Sequence, residues 1–255
     1  MSRRSPRHIL ITGASSGLGA ALAQAYAAPG VRLGLAARRI DRLEALAVEC
    51  RAQGAEVAVQ ALDVTDKAAA RAWVEGAAEV APIDLLIANA GVSAGTGAGG
   101  ETEEQARDVF AVNLAGVLNV VHPAIDVLRP RKAGQIALVS SIAGYRGMPG
   151  APAYSASKAA VMAYGEALRG DLASDGVAVS VICPGFVKTP MTAVNDFPMP
   201  FLMEAARAAA IIRRGLARDS ALITFPFPMR LAAWWMRVLP SGLVTRLLAN
   251  GPKKR

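Results

Sequence analysis

The stretch HILITGASSGLGAAL, residues 8–22, decides the architecture. His8 to Thr12 is a short apolar run of strand length, and Leu18 to Ala28 reads as a helix stopped by Pro29-Gly30. Between them lie Gly13, Gly17 and Gly19. Gly13 permits a tight turn, Gly17 lets backbone approach a pyrophosphate, and Gly19 lets the helix pack close. The helix N-terminus then offers N–H groups and a positive dipole end to phosphate. A glycine turn alone is weak; set between a strand and a helix it is far more specific.

The same alternation continues outward. Strands are predicted at 31–37, 56–62, 83–91, 135–141, 177–185 and 221–225. Helices are predicted at 41–53, 66–80, about 103–128, about 153–173 and 203–217. The strands are near-continuous apolar runs, as expected when helices cover both faces. The reading is an α/β fold, a doubly wound parallel sheet in a single domain over residues 1–255. With 255 residues, 53% hydrophobic and 19% charged, the chain is neither disordered nor collagen-like. Two cysteines, Cys50 and Cys183, make no disulfide framework and read as small buried residues, which points to a reducing compartment. The apolar run after the N-terminus is too short for a signal peptide, so a cytoplasmic protein is expected. His8 and His122 are isolated, so no metal is expected.

Strand two ends Ala36-Ala37-Arg38-Arg39, and no carboxylate appears until Asp41, which reads as the cap of the next helix. An acidic residue at that strand end would hold ribose hydroxyls of NAD; a guanidinium suits the 2′-phosphate of NADP. NADP(H) is therefore the expected cofactor, unless both arginines are solvated surface charges. Further on, Tyr154 and Lys158 stand four residues apart on one helical face. An ammonium beside a phenol lowers its pKa, which makes the pair a candidate general acid/base. Thirteen residues upstream, Ser141 ends strand five at the carboxyl edge, where ligands bind in such sheets.

With these motifs in order, the chain resembles the short-chain dehydrogenase/reductase family over roughly residues 8 to 190. The resemblance rests on TGASSGLG, Asp63 in LDVT, Asn89-Ala90-Gly91, Asn113, Ser141, Tyr154, Lys158 and Pro184-Gly185. It implies a Rossmann-type fold and catalytic roles for Asn113, Ser141, Tyr154 and Lys158. Tyr154 would give a proton to the substrate carbonyl oxygen, and Ser141 would hydrogen-bond that oxygen. Lys158 would bind the nicotinamide ribose and depress the Tyr154 pKa, while Asn113 would hold a relay water. The implied cofactor cleft takes in Gly13, Ser15, Ser16, Gly17, Leu18, Gly19, Arg38, Arg39, Asp63, Val64, Asn89, Gly91, Pro184, Gly185, Val187 and Thr189. Two departures stand out: Ala88 where the family often has a first asparagine, and Ser16 where many NADP-dependent members carry a basic residue.

Residues 186–217 read as a substrate lid, with Met191, Phe197, Met199, Phe201, Leu202 and Met203 apolar. The excess charge of +8 lies wholly at the end: Glu204 to Arg255 holds ten basic and two acidic residues. In the tail, 226–255, Leu231, Trp234, Trp235 and Val238 can share one side, followed by Leu243, Leu247 and Leu248. Pro226, Pro228 and Pro240 favour a fitted path over one straight helix. The tail can close the pocket, pair subunits of a homodimer or homotetramer, or touch a membrane; no nucleic-acid groove is visible. The expected activity is an NADP-dependent oxidoreductase interconverting an apolar carbonyl and a secondary alcohol by direct hydride transfer. The rivals are a non-catalytic NADP sensor and a reductase of carrier-linked or membrane-lipid substrates.

Overall fold

A computed structural model describes residues 5–93, 100–240 and 242. Seven parallel strands lie in the order β3-β2-β1-β4-β5-β6-β7. They are β1 (His8–Thr12), β2 (Arg32–Ala37), β3 (Glu56–Ala61), β4 (Leu85–Ala88), β5 (Gly134–Val139), β6 (Val177–Pro184) and β7 (Leu222–Phe225). The crossover helices are α1 (Gly17–Tyr26), α2 (Ile40–Ala52), α3 (Lys67–Val80), α4 (Glu103–Phe110) with α5 (Gly116–Leu128), and α6 (Pro152–Asp171). After β6 come the short α7 (Pro190–Ala193), α8 (Ala205–Ala217) and α9 (Phe227–Val238).

Alternation along each strand builds two cores. Ile9 and Ile11 of β1, Leu33 and Leu35 of β2, and Leu85 and Ile87 of β4 face one side. There they meet Leu22 of α1, Leu43 of α2 and Ile212 of α8. Leu10, Ala36 and Leu86 face the other side, against Val74 of α3, Val120 and Val121 of α5 and Val161 of α6. Burying a side chain such as Leu10 contributes about 1.5–3 kcal/mol, so the sheet centre carries much of the stability. Both edge strands are less covered than the centre: β3, paired only with β2, is exposed or half-buried along its length, and β7, paired only with β6, buries Ile223 and Phe225.

The expected long helix over 103–128 is interrupted by a π-helical turn at Ala111–Ala115, which carries Asn113. By length and composition the run Glu103–Leu128 could cross a membrane, but half of its most apolar window is buried, as befits a core helix. Asp41 does not cap α2: Arg39 does, and Asp41 sits in the first turn, where its charge still favours the positive helix end. The tail prolines bound α9 rather than interrupt it, and the helix ends before Pro240. Pro226 is the N-cap of α9 and Pro228 lies in its first turn, where a missing N–H costs nothing. Leu243, Leu247 and Leu248 lie outside the described residues.

Candidate active site

The sheet order reverses at β1, and the crevice at that switch point opens beyond the strands' carboxyl ends. Gly13 and Gly17 both adopt positive φ, at 65° and 58°. A Cβ on Gly19 would stand 2.4 Å from the Gly13 carbonyl oxygen, so only glycine lets α1 come this close. Thr12 ties the turn to β4: its Oγ1 accepts from Asn89 N at 3.0 Å and Ala90 N at 3.1 Å. Asn89 Nδ2 returns a bond to Thr12 O at 2.9 Å. Ser16 caps α1 without a side-chain bond, and no acidic residue follows in the first turn. The positive end of α1 is thus left for an anion.

At the end of β2, Arg39 Nη2 donates to Ser16 Oγ at 2.9 Å and to Ser15 Oγ at 3.2 Å. The second arginine therefore brings its charge to the glycine turn, where Ser16 itself supplies none. Asp63 accepts from Thr65 N at 2.9 Å and Thr65 Oγ1 at 2.8 Å. Those bonds, then the charge of Arg38, hold its carboxyl below the usual range.

Pro152 opens α6, which carries Tyr154 and Lys158 one turn apart, with Nζ 5.7 Å from the phenol ring centroid. Lys158 Nζ donates to Val139 O at 3.0 Å, and Ser140 Oγ donates to Lys158 O at 2.7 Å, pinning α6 to the end of β5. Ser141 caps the 3-10 turn Ile142–Gly144, accepting from Ala143 N at 3.1 Å, and its hydroxyl also bonds the Tyr154 phenol. Burial pushes Tyr154 above the usual phenol range, and the Ser141 bond offsets this only in part. Burial lowers Lys158 to about 8. The expectation that Lys158 depresses the Tyr154 pKa is thus corrected for the protein without cofactor: desolvation dominates both groups. Asn113 is fully buried. Its Oδ1 accepts from Val92 N at 2.8 Å, and its Nδ2 donates to Val92 O at 2.9 Å and Ser157 Oγ at 3.1 Å. It stands behind Gly91, whose Cβ would meet Asn113 Oδ1 at 3.1 Å and Lys158 Nζ at 3.3 Å.

The far wall follows β6. Gly185 N donates to Phe225 O at 2.7 Å. Thr189 caps α7 in a reciprocal box with Thr192. The segment between closes at its neck, with Met203 N on Phe186 O at 3.0 Å, Lys188 N on Met203 O at 2.8 Å and a Lys188–Glu204 ion pair at 3.1 Å. Met191, Phe201 and Leu202 are all exposed, Met191 at the edge of the cleft. The open cleft has a volume of about 490 Å³. Every residue assigned from sequence to catalysis or cofactor binding lines it except Gly19 and Asn113, which stand behind its wall; of the apolar lid residues singled out from sequence only Met191 lines it. Val92 and Val112 also line it and were missed, though each adjoins a singled-out residue, Gly91 or Asn113. Cys183 is buried behind the site, its thiol pushed up to about 12 by burial. Among the described residues no three His, Cys, Asp or Glu side chains gather into a metal site.

Such a cleft, on such a sheet, belongs to a family of oxidoreductases. The chain is a member of the short chain dehydrogenase family, whose pattern matches residues 7–197. It is 41% identical over 244 residues to an uncharacterized oxidoreductase of Myxococcus xanthus, covering 95% of this chain and 96% of that one. It is 33% identical over 239 residues to the granaticin polyketide synthase putative ketoacyl reductase 1 of Streptomyces violaceoruber, covering 84% and 88%. Among solved structures it is similar to a short-chain dehydrogenase from Sphingobium yanoikuyae in complex with NADPH. The TM-score is 0.81, with 27% identity and 97% of each chain covered.

Proposed function

We propose that this chain is an NADP-dependent oxidoreductase that interconverts an apolar carbonyl and a secondary alcohol, with Tyr154 as general acid/base. The observation that carries the reading is the meeting of Ser141, Tyr154 and Lys158 with the glycine turn and two arginines in one cleft. The open end of α1 and the close approach at Gly19 fit a pyrophosphate. Arg38, and Arg39 on Ser15 and Ser16, fit the 2′-phosphate. When bound, the nicotinamide supplies or accepts the hydride.

The protein's own part is proton handling and orientation. In reduction, oxygen charge develops at the carbonyl, and the phenol proton of Tyr154 goes to it. The raised pKa keeps that proton in place at neutral pH. The Ser141 hydroxyl, already bonded to the phenol, holds the same oxygen. Lys158 binds the nicotinamide ribose, and its charge steadies the phenolate that remains. Asn113 Oδ1 keeps a second lone pair beside Lys158, where a relay water returns the proton. A narrower reading, reduction of a carrier-linked ketoacyl thioester, draws support from the likeness to the putative ketoacyl reductase.

The test pairs cofactor dissociation constants with single-turnover absorbance. The chain should bind NADPH at least about tenfold tighter than NADH, a difference of ~1.4 kcal/mol. It should oxidise bound NADPH on addition of an apolar ketone. Arg38→Asp should erase or reverse the preference by removing a phosphate partner and repelling phosphate. An unchanged preference would move the selector to Arg39. Tight NADPH binding without oxidation across a ketone panel would favour a sensor.

A further inference from the structure

The tail helix α9 presents an apolar face to solvent. Phe227, Leu231, Trp234, Trp235 and Val238 are each between 47% and 69% exposed. At about 100° per residue they fall within one arc of the helix. The two indole rings meet edge-on, with centroids 5.1 Å apart. The helix is attached elsewhere: Met229 Sδ lies 2.7 Å from the position of a Cβ on Gly185, a residue of the cleft wall. A contiguous apolar patch of this kind marks an interaction surface rather than scattered surface hydrophobics.

Charge decides between occupants. From Ser220 to Arg255 the sequence holds six basic residues, Arg230, Arg237, Arg246, Lys253, Lys254 and Arg255, and no acidic one. Arg230 is exposed next to Leu231. A symmetric contact between two copies sets the same patch against itself, so the basic residues would face like charges. An anionic lipid surface accepts both the charges and the apolar stripe, and tryptophan favours the headgroup level.

We propose that α9 lies in the interface of an anionic lipid bilayer, apolar face down, drawn there by the basic residues between Arg230 and Arg255. Because Met229 abuts Gly185, docking brings the rim of the cleft to the lipid surface.

The test uses the full chain and vesicles of phosphatidylcholine, alone or with phosphatidylglycerol. Wild type should sediment with the anionic vesicles and show a blue-shifted tryptophan emission. Binding should fall by about tenfold or more as added salt shortens the screening length from ~10 Å at 0.1 M to ~3 Å at 1 M. Trp234→Ala with Trp235→Ala should abolish the association while NADPH binding without vesicles stays unchanged. Arg230→Glu with Arg237→Glu, which keeps the apolar face, should remove the preference for anionic vesicles. Failure of wild type to bind either vesicle, or unaltered binding by the variants, would overturn the proposal. A wild-type dimer that the tryptophan variant splits into monomers, with no vesicle binding, would overturn it too and assign the face to a second copy.

Discussion

Burial moves Tyr154 and Lys158 of α6 in opposite directions, Tyr154 up and Lys158 down to about 8. Each shift favours the uncharged form, so at neutral pH the phenol is intact and the lysine mostly, but not wholly, charged. In the proposed reduction the phenol proton of Tyr154 is the one transferred, and its raised pKa keeps that proton in place through the range in which Lys158 titrates. Lys158 sets the alkaline limb: kcat/KM for NADPH, which reports the free enzyme, should fall above about pH 8. Lys158→Arg, charged at all accessible pH, should lower the rate yet move that limb upward; a limb that stays put would clear Lys158 of the titration. Stability runs the other way. Between about 8 and the ordinary lysine value, the unfolded chain holds a proton that the folded chain has released. Stability from this group therefore rises with pH across that window. Because Cys183, held up at about 12, contributes the opposite slope over part of that range, the Lys158 contribution is read as a difference: melting curves at several pH values should show wild type gaining stability relative to Lys158→Met as pH rises above about 8. At the other end of the cleft, Arg39→Ala removes the guanidinium from Ser15 and Ser16. NADPH affinity should drop about tenfold or more while NADH affinity is nearly unchanged, the cost of one charge-assisted phosphate contact. Equal losses for both would place Arg39 away from the 2′-phosphate.

Whole elements set how these residues meet. The 3-10 turn after β5 presses on α6 through Gly144, whose Cβ would stand 2.8 Å from both the carbonyl carbon and oxygen of Lys158. Backbone cannot yield as a flexible side chain does, so Gly144→Ala must part the turn from α6 and draw Ser141 away from Tyr154. We expect kcat to fall by about tenfold or more, with destabilisation of about 1–3 kcal/mol and NADPH affinity largely kept. Wild-type kcat in a correctly folded Gly144→Ala protein would show that this contact does not position Ser141. This contact was not legible in the sequence, because it joins residues that no spacing rule relates. The same holds for Thr12 with Asn89, 77 residues apart, and for Ser140 with the Lys158 carbonyl. What was legible was local: the strand–glycine–helix unit, the absence of a carboxylate after β2, and the one-turn step from Tyr154 to Lys158. Arg39 could be placed in the cofactor cleft beside Arg38, but its partners Ser15 and Ser16 could not be read. Its reach back to Ser16 depends on β1 and β2 lying side by side, His8 to Thr12 paired with Arg32 to Ala36.

At the scale of the molecule, near-continuous apolar runs in the strands foretold a sheet covered on both faces, and the two cores on either side of the sheet are its outcome. The tail was harder. Its prolines argued for an irregular path, yet each falls at a helix end or first turn, where proline is compatible with a helix. Composition showed that α9 is apolar and basic; only the fold shows that its apolar side faces away from the protein. In the proposed reaction the bound nicotinamide gives its hydride to a carbonyl carbon while Tyr154 protonates the oxygen. Single-turnover transfer from NADPH deuterated at nicotinamide C4 to an apolar ketone, in wild type and Tyr154→Phe, tests it most directly. Wild type should place deuterium on the carbinol carbon, and Tyr154→Phe should transfer it about 10²–10⁴-fold more slowly with NADPH still bound. Transfer in the variant at more than about a tenth of the wild-type rate, or NADPH consumed with no deuterium on the carbinol carbon, would contradict that reaction.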